Sequence, residues 1–234
     1  MKIEYALVGS NNNPMYLDFW PVISKVWKTK FNITPVLGYI GNENIEISEE
    51  YGKVFRFDPI EGYDTGLLSQ LVRFYLPKKL DGNCIISDID MIPLSKKYFV
   101  DEISNFNDDC FVIMSSHHPQ TYNTNQYPMC YVVGNDKIYK ELFNLNDTWE
   151  SFIKKIPLNG WFTDQIHLYK IINENKNFKY EFPNRNGGFF SNRIDRINWV
   201  YDSNKVKNGE YVDCHSLRPY SLYKNEIDIL LNLI

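Results

Sequence analysis

Short apolar runs along this chain are interleaved with apolar residues at helical spacing, the mark of strands alternating with amphipathic helices. Ile3–Val8 reads as a first strand, followed by the turn-rich Gly9-Ser10-Asn11-Asn12-Asn13-Pro14. From Tyr16 to Lys30, Leu17, Trp20, Ile23 and Trp27 recur at helical spacing, and Pro21 predicts a kink. Pro35–Ile40 and Val54–Phe57 are the next strands, closed by Gly41-Asn42 and Asp58-Pro59. Asp64 or Thr65 is placed to cap a helix whose apolar face is Leu67, Leu68, Leu71, Val72 and Tyr75, with Pro77 as its stop.

The run Cys84-Ile85-Ile86-Ser87 follows and continues into Asp88-Ile89-Asp90, with a helical turn expected after Leu94. Phe111–Met114 and Cys130–Val133 are further strands, the first leaving through His117-His118-Pro119 and the second closed by Gly134-Asn135. Helices are expected from Asp136 and from Thr163 to Ile172. At the end, Tyr223, Ile227, Leu230, Leu231 and Ile234 make the stripe of a terminal helix that docks on the body. The alternation implies βαβ units and an α/β fold with a mixed, mainly parallel sheet. The stretch 184–208, rich in Asn, Gly and Arg, is expected to carry long loops. No repeat or linker divides the 234 residues, so one domain is expected, with 1–100 as its nucleotide-binding half and 101–234 as its acceptor-side half.

Composition narrows the class. An apolar content of 44% and an aromatic content of 16% supply a core and exclude disorder. A formal net charge of −4 with scattered basic residues gives no general attraction to nucleic acid or an anionic membrane. Apolar runs fall far short of a membrane span, and the N-terminus does not read as a signal peptide. Cys84, Cys110, Cys130 and Cys214 lie apart in apolar surroundings, which suits free thiols in a reducing compartment. The expected location is the cytoplasm, or the host cytoplasm for a viral chain.

The chemistry concentrates at Asp88 and Asp90. Side chains alternate along an extended chain, so both carboxylates are expected on one side at a strand end, where open α/β sheets bind ligands. With 16 Asp in 234 residues, roughly one such triplet arises by chance, so its context must carry the reading. A helix bearing Gln70 and Arg73 precedes the pair. Asp164-Gln165 stands at a later helix start, and His215 and Arg218-Pro219 come near the end.

In that order these pieces resemble a nucleotide-sugar-dependent glycosyltransferase of the GT-A type, similar to the retaining family 8 enzymes and the small GT-A enzymes of large DNA viruses. The resemblance implies a single Rossmann-like GT-A domain and a metal site of Asp88, Asp90 and His215, taking Mn²⁺ or Mg²⁺. It implies donor contacts from Val8, Gly9, Ser10, Arg73, Ser87, Asp88, Ile89 and Arg218, with Asp164 and Gln165 at the donor sugar. It further implies a UDP-sugar donor, a glycan or other hydroxyl acceptor, and net retention. The chain departs from the pattern at Arg218, where Lys is usual, in lacking a Gly between His215 and Arg218, and at Met129-Cys130-Tyr131, where Asn-x-Gly is usual.

Plainer readings stand beside these. Asp88 and Asp90 also suit a turn into Pro93, Arg73 lies opposite its helix's apolar stripe on what reads as a solvated face, and Asp164 suits a helix start. His215 also suits a structural histidine, and His117-His118 point apart when extended. A haloacid-dehalogenase-type phosphatase wants its Asp-x-Asp near the N-terminus, with Thr or Val where Ile92 stands. A nucleotidyltransferase wants a Gly-rich loop bearing Arg and Lys, which Gly9–Asn13 lacks, and a sugar-nucleotide-binding module needs neither the carboxylate pair nor His215.

Overall fold

The computed structural model describes residues 1–114, 125–183 and 192–234; His117-His118-Pro119 and the first part of 184–208 lie outside them. Strands β1 (Tyr5–Asn11), β2 (Thr34–Ile40), β3 (Lys53–Phe57), β4 (Asn83–Ser87), β6 (Cys110–Ile113), β7 (Tyr131–Asn135) and β8 (Lys179–Glu181) build one sheet in the order β3-β2-β1-β4-β7-β6-β8. β1 runs parallel to β2 and β4, and β2 to β3, whereas β7 is antiparallel to β4 and β6. The chain winds outward from β1 through β2 to β3, then returns to lay β4 on the other side of β1. Between β1 and β4 the order reverses, and ligands bind at such a switch point beyond the carboxyl ends of the strands.

The central strands are buried on both faces, and their side chains feed two apolar clusters. Ala6, Val8, Leu37 and Ile85 pack on one face with Trp20, Ile23, Trp27 and Phe99. Leu7, Val36, Cys84 and Ile86 pack on the other with Leu68, Leu71, Val72 and Phe74. The helix Thr65–Tyr75 supplies that second face, and its N-cap is Asp64, whose side chain accepts from Leu67 N at 2.9 Å. Its approach to β1 depends on Gly9, where a Cβ would stand 1.9 Å from the Ser69 carbonyl oxygen. The terminal helix Lys224–Leu231 docks as expected, burying Ile227 and Leu230 in the first cluster.

Several expectations are corrected. Pro21 makes no kink. Pro14–Leu17 and Trp20–Phe31 are separate helices, and Pro21 sits at the start of the second, where its missing N–H has no partner to lose. Gly134-Asn135 belongs to β7 and pairs with Asn83 and Cys84. Pro77 ends the α-helix but begins a 3₁₀ turn, Leu76–Lys79. The loop-rich second half holds β9 (Arg193–Asp195), the helix Ser203–Lys207 and β10 (Asp213–His215).

The largest correction is at the aspartates. β4 ends at Ser87, and Asp88-Ile89-Asp90 is a turn in which Met91 N donates to Asp88 O at 3.2 Å. The chain then leaves the main sheet as β5 (Met91–Pro93) and joins a second sheet, β5-β10-β9. Asp90 is therefore not an exposed strand-end residue. It is buried, 5% exposed, under β10, and its carbonyl accepts from Ser216 N at 3.0 Å.

Candidate active site

At the switch point lies a cavity of about 970 Å³, and its floor follows from the strand ends. Gly9, Ser10 and Asn11 contribute from the end of β1, and Gly66, Ser69 and Gln70 from the helix packed on it. Small residues let strand and helix approach while leaving room above them.

Arg73 organises one wall. It sits near the end of its helix but points at the sheet and is 4% exposed, so the solvated-face reading fails. Its guanidinium donates to Ser87 O at 3.3 Å, to Asp164 Oδ2 at 2.8 Å and to Asp88 Oδ1. Burial opposes the charge on Arg73, but Asp88 and Asp164 outweigh it and hold its pKa above the ordinary value. Asp164 is also buried, which pushes its carboxyl up from the usual range against the pull of Arg73. Asp164 occupies the first turn of the helix Thr163–Glu174, and its Oδ1 accepts from Gln165 N at 2.8 Å. The helix-start reading and the site reading thus describe the same carboxylate.

The small sheet builds the opposite wall through its register. Antiparallel pairing sets His215 against Met91, one residue past Asp90, while parallel pairing sets His215 beside Asp195. The buried fork of Arg193 on Asp213, at 2.8 and 2.9 Å, fixes that register two residues earlier. His215 Nδ1 meets Asp195 Oδ2 at 3.2 Å, so its Nε2 faces Asp90 Oδ2 at 3.7 Å. The same oxygen accepts from Arg196 at 2.7 Å and from Arg218 at 3.4 Å. Burial alone would raise the pKa of Asp90, but His215 and Arg196 bring it down to about 2. Arg218 is braced by Tyr16, donating to its hydroxyl at 2.7 Å and lying over its ring.

Of the residues expected at the site, Gly9, Ser10, Arg73, Asp88, Ile89, Asp90, Asp164, Gln165, His215 and Arg218 all line this cavity. Val8 does not, because it points into the apolar core, and Ser87 is wholly buried and contributes its carbonyl to Arg73. Asp88 and Asp90 are brought to one cavity but face different partners, Arg73 and the His215–Arg196–Arg218 group. Tyr16, Arg196 and Trp161 line it too and escaped the sequence reading. Arg196 was hidden in a segment read as loop, although Arg193-Ile194-Asp195 has the alternation of a short strand.

No family model matches the chain, and no curated protein matches it in sequence. In structure it matches a glycosyltransferase involved in the glycosylation of the major capsid of PBCV-1, at 9% identity and a TM-score of 0.54, over 97% of this chain and 100% of that chain. The fold is GT-A. A second match, at 12% identity and a TM-score of 0.49 over 100% of this chain and 95% of the other, is the galactosyltransferase LgtC in complex with donor and acceptor sugar analogs. The mixed sheet between helix layers, with β1 and β4 flanking the cavity, is the GT-A arrangement in this chain.

A hard divalent cation takes oxygen donors, which Asp90 supplies, and an imidazole such as His215 beside it favours a transition ion such as Mn²⁺ over Mg²⁺. The Asp195 carboxylate on the far nitrogen of His215 is the partner that orients a ligating imidazole. Among the described residues no group of three or more His, Cys, Asp or Glu converges on one point. The chain thus offers a pair of donors that fits such a cation, while Arg73 holds Asp88 aside.

Proposed function

We propose that the chain transfers a sugar from a UDP-sugar to a hydroxyl of a glycan or other acceptor, with Mn²⁺ or Mg²⁺ as cofactor and with net retention. The observation that carries this reading is the pair of facing walls at the β1/β4 switch point. Buried Arg73 with Asp88 and Asp164 stands on one side, and Asp90 with His215, Arg196 and Arg218 on the other. Breaking the bond between sugar and nucleotide develops negative charge on a diphosphate, and cationic groups arranged beforehand around it lower the barrier. Asp90 and His215 would hold the cation, whose contribution is to neutralise charge on the departing diphosphate. Arg218, fixed by Tyr16, is set to clamp a phosphate oxygen.

Retention is supported by the state of the cavity's carboxylates. Inversion needs a base that takes the acceptor proton from the face opposite the leaving group. Asp88 and Asp164 are engaged by Arg73 and Asp90 by Arg196, so each lining carboxylate among the described residues already holds a cation. The departing diphosphate is then the group left to receive the proton, on the face it leaves. Gln165 beside Asp164 offers an amide to sugar hydroxyls, and Trp161, 62% exposed at the cavity mouth, offers an acceptor sugar a flat apolar face.

The test is UDP release from a panel of UDP-sugars by the purified chain, with Mn²⁺ present or removed by chelation. Mn²⁺-dependent release from at least one donor is expected. Tight UDP binding with no release from any donor, with or without acceptor, would make the chain a binding module instead.

A further inference from the structure

Arg196 is the cavity's least anchored cation, and its place is telling. Arg73 is buried between two carboxylates and a carbonyl, and Arg218 is braced on Tyr16. The backbone of Arg196 is fixed, its N–H donating to His215 O at 2.9 Å, but its guanidinium reaches inward to a single partner among the described residues, Asp90 Oδ2 at 2.7 Å. That oxygen is the one His215 Nε2 faces. A divalent cation seated between His215 Nε2 and the Asp90 oxygen it faces would share that oxygen with a guanidinium, and two cations on one oxygen repel. Both arginine side chains there are partly exposed, but Arg218 is tied to the hydroxyl and ring of Tyr16 whereas the guanidinium of Arg196 is held by Asp90 alone among the described residues, so Arg196 is the one free to leave.

We propose that Arg196 couples cation binding to diphosphate binding. With the site empty it neutralises buried Asp90; when the cation arrives it gives the carboxylate up and takes a diphosphate oxygen in its place. This rests on the reading above, that a nucleoside diphosphate and a divalent cation bind here. Metal alone then binds weakly, because Arg196 is displaced without a new partner. A diphosphate supplies that partner, so each ligand strengthens the other, and linkage requires the two enhancements to be equal. A nucleoside without phosphates supplies no partner and produces no enhancement.

Free Mn²⁺ counted by electron paramagnetic resonance tests this without any turnover. In the parent, UDP should tighten Mn²⁺ binding by about tenfold or more, and uridine should not. In Arg196→Gln, Mn²⁺ alone should bind several-fold more tightly than in the parent, and the UDP enhancement, corrected for Mn²⁺ bound by UDP in protein-free solution, should fall several-fold, leaving the part due to direct contact between cation and diphosphate. Arg196→Lys, which keeps the charge, should retain most of the coupling. Circular dichroism and urea unfolding establish that the variants are folded. If Arg196→Gln keeps the parent's Mn²⁺ affinity and its UDP enhancement, the inference is wrong while the metal reading stands. If the parent takes up no Mn²⁺ even with UDP, the metal reading falls and the inference falls with it.

Discussion

At the scale of single residues, the site is a set of buried charges each held by a specific partner. Removing one partner is costlier than never having the pair, because the charge left behind keeps its desolvation cost. Arg73→Ala leaves Asp164 in that state, and we expect a loss of roughly 3 kcal/mol in urea unfolding. Adding Asp164→Ala should recover part of it, and a loss of less than about 1 kcal/mol in the single variant would contradict the pairing. Asp90 has the opposite pH signature from a carboxyl raised by burial. Its folded pKa of about 2 lies below an unfolded value of about 3.9, so its contribution is present above about pH 4 and lost as pH falls toward 2. That contribution is on the order of 2 kcal/mol. The stability gap between the parent and Asp90→Asn should therefore narrow progressively below about pH 5 and close only below about pH 2, and a gap that stays constant would contradict the pairing.

Elements place these residues, and here the sequence was legible in parts. Helical and strand periodicity marked β1 to β4 and the Thr65–Tyr75 helix to within a few residues, because those segments are long and bury apolar faces. The Asp-x-Asp turn, Asp164-Gln165 and His215 stood out as polar groups at element ends. What stayed illegible depends on long-range pairing. Nothing in the sequence near Asp90 shows that β5 leaves the main sheet for β10, or that β9 brings Asp195 to His215 and Arg196 to Asp90. Arg73 was misread for a related reason. Its helix is apolar on the sheet side, yet at its end it meets buried carboxylates from two distant segments. Gly9 is where an element-level change acts on the site most simply. Gly9→Ala would drive a methyl group against the rigid Ser69 carbonyl, so we expect about 1–3 kcal/mol of destabilisation together with weaker UDP binding as the Arg73 helix shifts. Unchanged stability and unchanged UDP affinity by calorimetry would show that the strand–helix contact does not set the cavity.

At the scale of the whole molecule, the GT-A fold carries a cavity whose walls come from distant parts of the chain. β1, the Thr65–Tyr75 helix, Asp88 after β4 and the start of the Thr163–Glu174 helix form one side, and Asp90 with β10 and the residue after β9 forms the other. Both halves of the chain build the site, Arg73 and Asp90 from the first hundred residues being held against Asp164 and Arg196 from the rest. No helix among the described residues is long and apolar enough to cross a membrane. Sugar transfer in this cavity, as proposed, depends on Asp90 and His215. The most direct measurement is UDP release from the best UDP-sugar of the panel, by the parent, Asp90→Asn and His215→Ala side by side, with Mn²⁺ and with folding verified. The account predicts release by the parent and a loss of about 100-fold or more in both variants (~3 kcal/mol of transition-state stabilisation). Folded variants that release UDP as fast as the parent would contradict it.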